Sequence, residues 1–154
     1  YLGSESHYVD AGIYFFLATL LTAKFTDIGA YIGGSYFGKL ILGGKKMSPR
    51  ISPKKTYTGL MFGLLSSSSI GFLALWYNPF VSVHPIIAIP FGLIVGLAAV
   101  GGDLFESLVK RSFNLKDSGR QLPGIGGWFD LADSVFWAGP VAYSMFLANF
   151  ALMQ

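Results

Sequence analysis

The chain has 154 residues, 53% of them hydrophobic and 16% aromatic, with only 12% charged and a formal net charge of +3. Soluble domains carry about 25% charged residues, so this composition excludes an ordinary soluble domain and points to an all-α, polytopic helical bundle in a membrane. There is no cysteine, which removes disulfides, thiol chemistry and Cys-ligated metals from consideration.

Four apolar stretches approach the ~17 to 25 residues that a bilayer-crossing helix needs. They predict spans over residues 11–33, 57–77, 85–111 and 133–153 of a single transmembrane domain covering 1–154. The chain starts at Tyr1 without Met and leads in with a polar Gly3-Ser-Glu-Ser-His-Tyr8; the expectation is a piece of a longer membrane protein. In the first span, Asp27 stands where a charge costs about 2.5 to 3.5 kcal/mol. Lys24 at i−3 offers it a partner, and Tyr31 follows one turn later on the same face.

Between the first two spans, Gly43 to Thr56 holds five of the eleven basic residues and no acid. The positive-inside rule places this loop in the cytoplasm. Its Ser52-Pro-Lys-Lys-Thr56 end reads either as a patch for anionic lipid headgroups or as the approach to a helix N-terminus at Tyr57 that holds an anion. Within the second span, Ser66 to Ser69 reads as small-residue helix packing. The connection Asn78 to Pro85 carries no formal charge, as expected on the opposite face, and His84 is expected to be a surface loop residue.

The third span ends on the densest polar pattern. Asp103, Ser107, Lys110 and Asn114 share one helical stripe, flanked by Glu106 and Arg111. Glu106 and Lys110, at i and i+4, also read simply as a helix-stabilising pair. Asp103 has no cation three or four residues away, and it follows Gly101-Gly102, which permit close backbone approach. An even number of crossings returns this end of the chain to the side of the basic loop.

The segment Lys116 to Asp133, KDSGRQLPGIGGWFDLAD, then brings Lys116, Asp117, Arg120, Gly124, Gly126, Gly127, Asp130 and Asp133. Alone, such a segment reads as a turn between two helices or as a phosphate-handling loop whose glycines aim backbone N–H groups at an anion. Carboxylates near one membrane face, with no His or Cys nearby, suit a hard cation such as Mg2+.

Taken together, Asp27-Ile-Gly-Ala-Tyr31, Phe37-Gly-Lys39, Ser52-Pro-Lys-Lys-Thr56, Gly101-Gly-Asp-Leu-Phe-Glu-Ser107, Lys110-Arg111, Lys116-Asp-Ser-Gly119, Leu122-Pro-Gly-Ile-Gly-Gly127, Asp130 and Asp133 resemble the blocks of the phosphatidate cytidylyltransferase (CDP-diacylglycerol synthase) family. The resemblance runs over residues 25 to 140 and places this chain in that family's C-terminal catalytic part. Three positions depart from the pattern: the family has a His at Ile125, commonly an Arg at Leu131 and often a Glu at Thr58. A site with Ile125 draws its catalysis from carboxylates, cations and backbone.

The resemblance implies cytidylyl transfer from CTP to phosphatidic acid, giving CDP-diacylglycerol and pyrophosphate in phospholipid biosynthesis. It implies Asp103 and Asp130 as the principal metal ligands, with Asp133 and Ser107 beside them, Lys110 and Arg111 on phosphate oxygens, and Ser52, Lys54, Lys55 and Thr56 on CTP. Lys116, Asp117, Gly126 and Gly127 join the substrate-binding set. The cofactor is Mg2+, with carboxylates enough for a second cation. The implied partners are CTP, phosphatidic acid and membrane lipids, with no nucleic acid, and small residues in the spans allow a homodimer. The site would face the cytoplasm, as in a bacterial inner membrane. The competing expectations are another CTP-using lipid enzyme, a CDP-archaeol synthase or polyprenol kinase, and, outside enzymes, an ion-coupled transporter using the intramembrane acids.

Overall fold

A computed structural model describes residues 2–80, 82–113, 115 and 128–152, with side chains described from residue 9 onward and, in the last helix, at 133–149, 151 and 152. Helix α1 runs over Leu2–Ile32, passes through a π-helical turn at Gly33–Phe37, and continues as α2 over Gly38–Leu42. The first apolar rod is therefore longer than the expected 11–33. It stops at Gly43 and Gly44, whose positive φ angles of 59° and 74° reverse the chain at little steric cost.

The basic segment is a β-hairpin. Strands β1 (Lys46–Ser48) and β2 (Ser52–Thr56) pair antiparallel, with Lys46 opposite Thr56 and Ser48 opposite Ser52. Helices α3 (Tyr57–Trp76), α4 (Pro85–Ser112) and α5 (Trp128–Leu152) follow. The four long helices close a ring in which α1 packs on α3, α3 on α4, α4 on α5 and α5 on α1. Among the described residues, three helical rods are long and apolar enough to cross a membrane: Val9–Leu42, Tyr57–Trp76 and Pro85–Ser112. The chain is an all-α membrane bundle carrying one small hairpin.

Several polar side chains inside the bundle find partners within it, as a water-free interior favours. Thr19, Thr22 and Thr26 each donate to the carbonyl four residues earlier, at 2.7 to 2.8 Å. At the end opposite the hairpin, Asn149 accepts from the His84 N–H at 2.9 Å and donates to the Ser82 carbonyl at 3.2 Å. His84 is exposed, as expected, yet it also caps α4: its Nδ1 accepts from Ile86 N–H at 3.3 Å.

Small residues set the helix spacing. A Cβ built on Gly92 of α4 would stand 2.1 Å from the Ser67 carbonyl oxygen and 2.6 Å from the Ser68 Cα of α3. Ser67 is fully buried and Ser66 abuts Gly29 of α1, so Ser66 to Ser68 serve packing, as the sequence suggested, whereas Ser69 is exposed. Gly92→Ala is expected to push α3 and α4 apart and to cost about 1–3 kcal/mol, the usual scale of overpacking. Thermal unfolding in detergent would register this as a lowered midpoint.

Candidate active site

At the hairpin end, the last turns of α4 meet the start of α5. Gly102 makes this meeting close: a Cβ there would stand 2.8 Å from the Asp133 carbonyl oxygen and 2.8 Å from the Trp137 ring. The approach brings Asp133 of α5 onto the face of α4 that carries Asp103 and Glu106. One carboxylate oxygen from each of the three lies within 4.8 Å of the others. Three oxygens so close are mutually repulsive unless positive charge is held among them.

Cations do approach from two sides. Lys55, on β2, forms an ion pair with Asp103, the side chains being 25% and 29% exposed. From within α4, Lys110 reaches Glu106 at 3.2 Å, and Glu106 is otherwise buried. The i,i+4 pair expected from sequence is thus present, and the same Glu106 also belongs to the carboxylate cluster. Sequence reasoning left Glu106 out of the ligand set because the pairing with Lys110 sufficed to account for it. The signal was its position one turn from Asp103.

Asp27 enters from α1. Ser134 of α5 links it to the cluster: the Ser134 hydroxyl donates to Asp27 Oδ2 at 3.4 Å and accepts from Lys24 Nζ at 3.4 Å. Serine thus stands between the two charges that the sequence offered as a pair. Above these groups, Asp27, Tyr31, Lys54, Lys55, Thr56 and Asp103 line a cavity of about 250 Å3, closed on its apolar side by Ala30, Leu60 and Val100. The hairpin forms its roof, and α1, α3 and α4 its walls.

The residues expected on the substrate divide by position. Lys54, Lys55 and Thr56 reach the cavity, whereas Ser52 opens β2 at the turn end of the hairpin. Thr56 has a defined structural task as the N-cap of α3, its Oγ1 accepting from Gly59 N–H at 3.1 Å. The Tyr57 N–H goes to the Lys45 carbonyl at 3.2 Å. Two donors of the α3 N-terminus are thereby taken within the fold. Ser107 is half-buried one turn beyond Asp103. Arg111 is exposed and donates to the Leu115 carbonyl at 3.4 Å, at the end of α4. Asp130 lies in the first turn of α5 with its side chain outside the described residues, as do Lys116, Asp117, Gly126 and Gly127 altogether.

This arrangement suits chemistry on phosphates. Clustered oxygen donors select hard divalent cations, and lysines on a roof strand neutralise phosphoryl oxygens. Comparison with known proteins agrees. Residues 4–148 match the Cytidylyltransferase family. The chain is 40% identical over 126 residues to a phosphatidate cytidylyltransferase of Chlamydia pneumoniae, covering 79% of this chain and 40% of that protein. It is 36% identical over 143 residues to that of Thermotoga maritima, covering 90% and 51%, and 39% identical over 143 residues to that of Staphylococcus aureus, covering 93% and 50%. The chain thus spans about half, or less, of the length of these curated relatives.

Proposed function

Because the chain belongs to the cytidylyltransferase family, we propose that it transfers the cytidylyl group of CTP to phosphatidic acid, releasing pyrophosphate and forming CDP-diacylglycerol. The observation that carries this reading is the cluster of Asp103, Glu106 and Asp133 carboxylates, whose Asp103 pairs with Lys55 and lines one cavity with Lys54 and Lys55. The names of the relatives support the choice of substrates.

The reaction joins two anions. The lipid phosphate is already ionised near neutral pH, since its second pKa lies at about 6, so no strong base is needed. Its oxygen attacks the α-phosphorus of CTP, the α–β anhydride bond breaks, and the bonding pair leaves on pyrophosphate. Asp103, Glu106 and Asp133 would hold Mg2+, and Asp130 and Ser107 are placed in sequence to join them; the ion supplies charge neutralisation on the phosphoryl oxygens. Lys54 and Lys55 draw the triphosphate beneath the hairpin. Lys110 holds Glu106 in place and adds positive charge beside the carboxylate cluster. Ser134 and Lys24 fix Asp27 at the inner edge of the cavity. Positioning and preset charge carry the acceleration, and no step calls on a histidine at position 125.

The basic hairpin supports placing this end of the bundle in the cytoplasm, where CTP is available, as in a bacterial inner membrane. The decisive assay supplies CTP labelled on its α-phosphate, phosphatidic acid and Mg2+ to the purified chain in phosphatidylcholine vesicles. The expected result is label moving into lipid with one pyrophosphate released per lipid modified. Transfer of the γ-phosphate instead would make the chain a lipid kinase, and ion flux without turnover would make it a transporter. A preference for an ether-linked isoprenoid phosphatidate would make it a CDP-archaeol synthase.

A further inference from the structure

Asp133 enters the carboxylate cluster from the first turns of α5, so the geometry of the cluster depends on how that end of the helix is held. Its distance from α4 is set at Gly102, where a built Cβ would stand 2.8 Å from the Asp133 carbonyl oxygen and 2.8 Å from the Trp137 ring. One line of contact still leaves a helix free to roll about its own axis. Side-chain ends stand about 5–6 Å from that axis, so a roll of about 10° carries the Asp133 carboxylate through about 1 Å.

Ser134 supplies a contact on a second side. It follows Asp133 by one residue and so points about 100° further round α5, toward α1, where it is fully buried. Its hydroxyl is shared between two charged side chains of α1, donating to Asp27 Oδ2 and accepting from Lys24 Nζ at 3.4 Å each. Its backbone N–H donates to Asp133 Oδ1. Below Ser134 the two helices are loosely packed. An apolar cavity of about 270 Å3 opens beside Thr19, Val135 and Gly139, and nothing stands within 4 Å of a Cβ built on Gly12 or Gly139. Phe15 of α1 meets Phe146 of α5, with ring centroids 4.6 Å apart, but this contact lies about 18 Å farther along α5. We propose that Ser134 is a positioning residue: by tying Asp27 and Lys24 of α1 to the first turns of α5, it fixes the roll of that helix and so the place of the Asp133 carboxylate beside Asp103 and Glu106. It acts through Asp133 and not on the reacting atoms. The inference rests on the proposed reaction for its kinetic readout alone, since metal binding reads the geometry without turnover.

Ser134→Ala removes the hydroxyl and keeps the helix, alanine being the best helix former. Mn2+ titrated into the full chain in phosphatidylcholine vesicles, followed by electron paramagnetic resonance, is expected to bind about tenfold more weakly than to the wild type, the scale of losing a group that orients a metal ligand. The kcat for cytidylyl transfer should fall about 10- to 100-fold, as a displacement of about 1 Å implies. KM for CTP should stay within about twofold, because Lys54 and Lys55 belong to the hairpin and not to α5. Ser134→Cys, near serine in size and a weak donor, should recover part of both losses. In a double-mutant cycle with Asp27→Asn the losses in Mn2+ affinity should be less than additive, because both changes cut the same tie. Unchanged Mn2+ affinity in Ser134→Ala, additive losses in the cycle, or a lowered thermal midpoint with metal binding and kcat intact would overturn the inference. If the wild-type chain binds Mn2+ and transfers no cytidylyl group, the proposed reaction fails, while weakened Mn2+ binding in Ser134→Ala still supports the tie.

Discussion

Asp103→Asn is expected to reduce cytidylyl transfer by about 10² to 10³-fold, the scale seen when one preset electrostatic contact to a transition state is lost. The substitution keeps the shape of the side chain and removes its charge. It takes one of three clustered oxygens from full to partial negative charge and frees Lys55 from its ion pair. The fold should survive, because Asp103 is partly exposed at the end of the bundle and such a pair is worth about 0–1 kcal/mol. Asp133→Asn should behave alike from the other helix. Rates with labelled CTP, measured beside circular dichroism in detergent, check both. Full activity in both variants would remove the cluster from the mechanism.

The second large effect comes from a residue with no side chain. In Gly102→Val the new Cβ would meet the Asp133 carbonyl oxygen and the Trp137 ring at 2.8 Å, so α5 must retreat from α4. The overpacking itself costs about 1–3 kcal/mol. The catalytic cost is separate and larger, since displacing a reacting group by about 1 Å can lower a rate about 10²-fold. Gly101→Ala is the matched control: nothing stands within 4 Å of its built Cβ, and alanine gains about 0.8–1 kcal/mol of helix propensity. Activity is expected to collapse in Gly102→Val and to persist in Gly101→Ala. Equal activity in the two would mean that the separation of Asp133 from α4 does not matter.

These expectations show how far the residues speak for themselves. The bundle was legible because apolar length sets membrane helices directly, and a helix must satisfy its own backbone there. That the basic loop and Asp103 share one face was legible too, since two crossings return the chain to it. The hairpin was not: strands of three and five residues, one of them containing Pro53, leave no alternation of hydrophobic residues to read. The long first rod was also hidden, because Gly33 and Gly34 look like a helix end whereas a π-helical turn carries the chain through them.

Glu106 shows a different limit. A local partner, Lys110, already accounted for it, and only the tertiary approach of α5 at Gly102 reveals that the carboxylate serves a second set of neighbours. The stretch from Lys116 to Gly127 carries part of the resemblance and lies outside the described residues. The geometry at hand instead comes from the helices on either side of it.

The central claim is that Asp103, Glu106 and Asp133 together hold the divalent cation on which transfer depends. Electron paramagnetic resonance of Mn2+ titrated into the purified chain in lipid vesicles tests it most directly. The account predicts one tightly held Mn2+ per chain, displaced by Mg2+, and lost or severely weakened in both Asp103→Asn and Asp133→Asn. Mn2+ binding of unchanged affinity and stoichiometry in those two variants would contradict it.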